Sequence, residues 1–253
     1  MRSPLGEAPT TDEGSAGAFE VSWFWDWVPG AASDATERSA WRKSVAGVLD
    51  DWVGEKVAAA RAAWPADAAQ EFPFTVEEMG AAVAGDLLER ADDVPANCRL
   101  IWGAGFVGDE ARWLPLVVLA EFRQARPDDS AYLMAVVGAE GFDDDVREPN
   151  VEYVSTAHGD GIRVLALARS EDEGLHGRVN AALRLEGGSG SGTPAAGDVD
   201  VLLTTRVTGL DQLAVIGFGV EALMNMIATQ FAAGPEDDKT VLRLVPPAGP
   251  GLS

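Results

Sequence analysis

The chain of 253 residues contains a single cysteine, Cys98, two histidines and two tyrosines. One thiol cannot close an intramolecular disulfide, so the fold must hold without staples, and such cysteine usage fits a reducing compartment. Two histidines leave little for general acid–base chemistry near neutral pH. Basic side chains are scarce as well. Lys and Arg number 19 against 41 Asp and Glu, a formal net charge of −22. The acids are dispersed along the chain rather than gathered in a tail. Such a surface repels a phosphate backbone and an anionic membrane, which argues against nucleic-acid or membrane partners. It attracts and steers a protein with a basic surface.

Long apolar runs are missing too. No stretch reaches 18 residues without a charge, so no membrane span is expected. The opening "MRSPLGEAPTTDEGSAG" lacks an apolar h-region, so no signal peptide is expected. The reading is a soluble, cytoplasmic protein.

What is present is a globular composition, 47% hydrophobic and 24% charged, enough for a sizeable core. The spacing predicts a disordered segment over 1–17, one α+β domain over 18–234, and a C-terminal segment over 235–253 ending in a flexible tail. "FEVSWFWDW" alternates as a strand does, with Trp23, Trp25 and Trp27 on one face, and stops at Pro29-Gly30. The helical part spans about 33–91. Its first helix is capped by Ser33 or Asp34, carries Trp41, Val45, Leu49, Trp52, Val57 and Trp64 on one face, and closes at Pro65. Gly47 and Gly54 are points where it would bend or break. The second helix begins where Thr75 and Glu78 have capping-box spacing and Phe74 and Met79 form a staple.

From about 99 to 218 the pattern turns to short apolar or alternating runs divided by Gly, Asp and Pro. These read as eight strands, "AYLMAVVG" and "DQLAVIGFG" among them. "TAHGDGI" and "TGLDQ" read as tight hairpin connections, which force antiparallel neighbours. A last helix covers about 220–232. The fold class is therefore α+β: a mainly antiparallel sheet of about six to eight strands packed against two or three helices, which the pattern places together on one face. "GGSGSGTPAAG", 187–197, reads as a long hairpin loop rather than a domain linker.

No motif assembles into chemistry. "GAGFVG", Gly103–Gly108, is a literal G-x-G-x-x-G. A dinucleotide site needs a helix next, and "DEARWLPLVVLAEF" with Pro115 and β-branched residues is a strand instead. "FDDDVREPN" clusters Asp143, Asp144 and Asp145, but its spacing matches no calcium loop. Cys98 has no zinc-like partner spacing. "GGSGSG" contains no G-x-S-x-G. Hence no catalytic residue, no cofactor and no metal ligand is assigned.

The aromatics carry the functional reading. All eight tryptophans precede residue 114, and "VSWFWDWVPG" places Trp23, Phe24, Trp25 and Trp27 within five positions. Helix packing absorbs Trp41, Trp52 and Trp64, and Trp102 and Trp113 fall on consecutive strands. Core packing against the helices is the favoured reading of Trp23, Trp25 and Trp27, and the four residues Trp23, Phe24, Trp25 and Trp27 are the candidate partner-binding set if that face is instead exposed. The favoured function is a non-enzymatic acidic protein that binds another protein, as an adaptor, chaperone or immunity protein does; self-association is a further option. The alternative is a small-molecule binder or hydrolase with a pocket between sheet and helices, His158 being its polar residue.

Overall fold

The computed structural model describes residues 21–72, 76–126, 130–171, 174–186 and 198–233. The expectations for 1–17, 187–197 and 235–253, and for Phe74, Thr75 and the Glu78 side chain, lie outside those described.

Among the described residues, seven strands form one curled antiparallel sheet: β1 (Val21–Trp27), β2 (Cys98–Val107), β3 (Glu110–Gln124), β4 (Asn150–Thr156), β5 (Gly159–Ser170), β6 (Gly174–Leu185) and β7 (Val199–Val207). Their order is β1-β2-β3-β7-β6-β5-β4, every neighbour antiparallel. The same residues form four α-helices: α1 (Ala35–Ala62), α2 (Val76–Asp92), α3 (Ser130–Val137) and α4 (Leu213–Ala233). The fold is α+β.

The helices lie on both faces of the sheet, not one. Alternate residues of a strand point to opposite faces. Ile101, Val118, Ala120, Val179, Ala181, Leu183, Val201 and Leu203 point to one face and pack with Ile216, Val220, Leu223, Met224 and Ile227 of α4. Leu100, Trp102 and Val117 point the other way and meet Val45 and Leu49 of α1 and Ala84 and Leu87 of α2. Farther along that second face, Ile162, Val164, Ala182 and Leu202 are covered by Leu133, Met134 and Val137 of α3. Three clusters, rather than one layer of helices, exclude water from both sides.

Local chemistry explains most boundaries. Asp34 caps α1, its Oδ1 accepting from the backbone N–H of Thr36 at 2.6 Å and of Glu37 at 3.3 Å. The helix runs through Gly47 and Gly54 without a break. It is held against α2 where Gly80 lets the two backbones approach and its N–H donates to Asp50 Oδ1 at 2.9 Å. α1 ends at Ala62, so Trp64 falls beyond the apolar stripe expected for it. Trp64 is 40% exposed and donates its indole N–H to the Gln70 carbonyl.

Two expected strands are helices. "AYLMAVVG" forms α3, whose last carbonyl, Val137 O, accepts from buried Asn180 Nδ2 at 3.1 Å. Gly138 follows with φ +72°, the left-handed geometry that closes a helix. "DQLAVIGFG" supplies a 3-10 turn, Leu210–Gln212, and the start of α4, so "TGLDQ" links strand to helix. Both segments are continuous apolar runs, for which periodicity does not separate a buried helix from a buried strand. α4 with its leading turn, Leu210–Phe231, is long and apolar enough to cross a membrane by length and composition. Val220, Leu223, Met224, Ile227 and Ala228 are nonetheless sealed against the sheet. This is the packing of a core helix, compatible with a soluble protein.

Buried charges are paired. Asp200, wholly buried, accepts from Arg184 Nε at 2.7 Å and Nη2 at 3.0 Å across β6 and β7. Arg163, also buried, is held by Glu152 of β4 and by Glu221 of α4 at 2.9 Å, and lies over the Phe218 ring.

Candidate functional site

The aromatics of β1 divide between the two faces. Trp23, Trp25 and Trp27 point to α4; Phe24 points to α1. Trp25 is buried and donates its indole N–H to the Gly219 carbonyl at 3.1 Å. Trp27 lies beside Phe122 and donates to Gln230 Oε1 at 2.9 Å. Trp23 stacks on Trp25 at 6.1 Å and on Trp113 at 5.8 Å. Opposite them, Phe24 meets Trp102 at 5.3 Å and Trp52 at 5.5 Å edge-on, and Trp52 meets Phe106 at 4.7 Å. β1 thus clamps the sheet to α4 with one side and to α1 with the other. Of the four candidate residues, Trp25 and Trp27 serve packing, Trp23 is half-buried, and Phe24 keeps 36% of its surface in solvent.

Glycine makes this possible. A Cβ on Gly103 would collide with the Trp25 ring and the Phe24 carbonyl; one on Gly105 would come within 2.6 Å of Trp113 and 2.7 Å of Trp23. The first two glycines of "GAGFVG" are therefore a bed on which three indoles lie flat, and the third, Gly108, turns β2 into β3 with φ +60°. Gly219 on α4 does the same from above, its missing Cβ being within 2.7 Å of Trp23. The motif is explained by aromatic packing, and strand β3 follows it where a nucleotide site needs a helix.

Where the clamp ends, a cavity of about 640 Å³ opens. Trp23 and Trp113 wall it from the sheet, Val215 and Phe218 from α4, Val21 and Val107 close the end, and Arg112 stands at the rim. Phe218 is 60% exposed. Arg112 touches Glu110 at 3.2 Å, and Glu110 also binds Lys56 at 3.2 Å. The Lys56 ammonium, chiefly, holds the Glu110 carboxyl below its ordinary range, with Arg112 contributing.

On the α1 side, Asp26 is the one acid of the clamp. Burial raises its carboxyl above the ordinary value, opposed by the Trp41 indole N–H, which donates to Oδ2 at 2.9 Å. Trp102, its cross-strand neighbour, brings a second indole N–H toward the same carboxylate without reaching hydrogen-bond geometry.

The remaining sequence candidates are scattered. His158 is exposed on the two-residue turn joining β4 and β5, not between sheet and helices. His176 is buried with Nδ1 3.2 Å from the Gly174 carbonyl. Asp144 and Asp145 both bind the buried Arg178, at 3.0 and 2.6 Å, and Phe142 stacks on its guanidinium. Cys98 is buried, and burial raises its thiol above the ordinary value. Among the described residues no group of three or more His, Cys, Asp or Glu is arranged to hold a metal ion.

Sequence reasoning missed Arg112, Val215 and Phe218 as cavity residues. The signal that bears on them is "GFG" at 217–219: glycines flanking a phenylalanine inside a helix, Gly219 receiving Trp23 and Gly217 receiving Leu165. Comparison with protein-family models, with curated proteins and with solved structures finds no match to this chain.

Proposed function

We propose that the chain is a non-enzymatic, soluble cytoplasmic protein whose role is to bind another protein through a basic, extended segment. The observation that carries this is the position of β1: it ends the sheet, and among the described residues it pairs with β2 only. An edge strand offers a row of backbone donors and acceptors to an incoming strand. Ser22 and Phe24 stand exposed on the flank of that edge, so the partner meets a polar and an aromatic side chain beside the backbone. The net charge of −22 selects a basic segment and speeds its encounter. It also disfavours two copies of this chain pairing through the same edge.

The test is affinity capture from native lysate at low salt, followed by hydrogen exchange on the recovered complex. Support is slowed exchange at the β1 amides, with capture at least tenfold weaker for Ser22→Lys. Unchanged β1 exchange in the complex, or empty captures from a monomeric protein, would sink the reading.

The alternative class, a small-molecule binder, draws support from the cavity between Trp23, Trp113 and Phe218. Its hydrolytic form rests on His158, which stands exposed on the turn between β4 and β5.

A further inference from the structure

The cavity beside Trp23 is where large aromatic surface faces open space in a wall that is already fixed. Trp23 is pressed between Gly105 of β2 and Gly219 of α4 and stacked against Trp113, with an interplanar angle of 25°. Neither ring has room to fold inward and fill the gap. A rigid apolar wall loses little freedom when a ligand settles on it. The volume, about 640 Å³, is in the ordinary range for a small-molecule site. Gly105 and Gly219 already cover the two faces of the Trp23 six-membered ring, so Trp23 lends its edge, and the exposed ring of Phe218 is what a flat apolar body meets face-on.

Charge selects the rest. The chain is strongly acidic, yet among the described residues the one charged residue lining the cavity is Arg112, whose partner Glu110 is shared with Lys56 of α1. Lys56 is the main partner of Glu110, judged by what depresses that carboxyl. The Arg112–Glu110 contact, at the same 3.2 Å as Lys56–Glu110, is half-exposed and engages only Nη2 of the guanidinium, a kind of pair that exchanges partners at little cost. Arg112 therefore has donors to offer an incoming carboxylate in the bidentate geometry guanidinium favours. Arg112 disfavours a cation, and one face of the Phe218 ring is already taken by the Arg163 guanidinium at 4.9 Å.

We infer that this cavity binds a small planar apolar carboxylate, its ring lying between Phe218 and the edges of Trp23 and Trp113 and its carboxylate on Arg112. The inference rests on the small-molecule reading above and names its ligand class.

The probes are 2-naphthoate, neutral 2-naphthamide and cationic 2-naphthylmethylammonium, titrated by calorimetry and by quenching of tryptophan fluorescence. At the efficiency usual for small ligands, 2-naphthoate saturates one site with half-saturation at or below about 1 mM. The amide is at least tenfold weaker, and the ammonium does not saturate. Arg112→Gln, an exposed substitution, brings naphthoate to the level of the amide. Val215→Trp fills the cavity and removes both, with circular dichroism checking that the fold persists. His158→Ala, on the distant turn, changes nothing. Amide binding equal to naphthoate, lost in Val215→Trp, overturns the carboxylate assignment and leaves the cavity a binding site. Absence of saturable binding by all three probes to the folded protein overturns both.

Discussion

Replacing Gly103 by alanine tests the claim that "GAGFVG" exists for the indoles. The added Cβ would meet the Phe24 carbonyl and would lie within 2.7 Å of Trp25 Cζ3. Trp25 cannot swing away freely, because it is buried and its N–H is held by the Gly219 carbonyl at 3.1 Å. The Phe24 carbonyl belongs to β1, which pairs with β2 at this point. Relief therefore requires β1 to part from β2 or α4 to lift. Overpacking of this kind costs about 3 kcal/mol at the upper end of its usual range. The stiffer alanine offsets roughly 0.5 to 1 kcal/mol of that through the unfolded chain. A net loss of about 2 kcal/mol remains, which for a chain of this size lowers Tm by roughly 4 to 8 °C. Gly47→Ala is the paired control: it sits exposed in α1 with nothing within 4 Å of the added Cβ. It should stabilise by about 0.5 to 1 kcal/mol. Urea unfolding followed by both tryptophan fluorescence and circular dichroism reads the two variants on one scale. If Gly103→Ala is as stable as the parent, with an unshifted emission spectrum, the packing account of the glycines is wrong.

Other consequences follow from the same geometry. Burial raises the Asp26 carboxyl in the folded state, so over the window just above the ordinary aspartate range the folded chain holds a proton the unfolded chain has lost. Its contribution to stability therefore falls as pH rises through that window, and Asp26→Asn, which keeps an acceptor for Trp41, should gain on the parent as pH climbs in parallel urea titrations. Arg184→Ala leaves Asp200 charged and buried without its bidentate partner, and is expected to cost roughly 3 to 5 kcal/mol in the same assay. A loss under about 1 kcal/mol would mean that the pair is wetter than its burial indicates. Trp64→Phe removes the most exposed of the described indoles, so acrylamide quenching should drop sharply while stability moves by no more than about 0.5 kcal/mol. Quenching that persists would place another indole in solvent.

The route from sequence to fold can be followed element by element. Alternation in "FEVSWFWDW" marks β1 because each second side chain of a strand lands on the same face, and Asp34 marks the start of α1 because a free carboxylate fits the first unpaired amides. "AYLMAVVG" and "LAVIGFG" carry no such mark. A continuous apolar run satisfies helix and strand alike, and the choice fell to the sheet faces needing cover at Ile162, Val164 and Leu202, and at Val179, Leu183 and Leu203.

The candidate site divides in the same way. The sequence by itself determined the acidity, the class of fold and the aromatic alternation of β1. It also ruled against reading "GAGFVG" as a nucleotide loop, since β3 follows it. Only the tertiary structure decided what the tryptophans do, because burial is a property of both surfaces in a contact. Trp23, Trp25 and Trp27 share one strand face, yet whether that face meets a partner or the chain's own helix depends on α4, nearly two hundred residues away. Its glycine at 219 turns a docking surface into a clamp and, one residue earlier, leaves Phe218 standing over the gap.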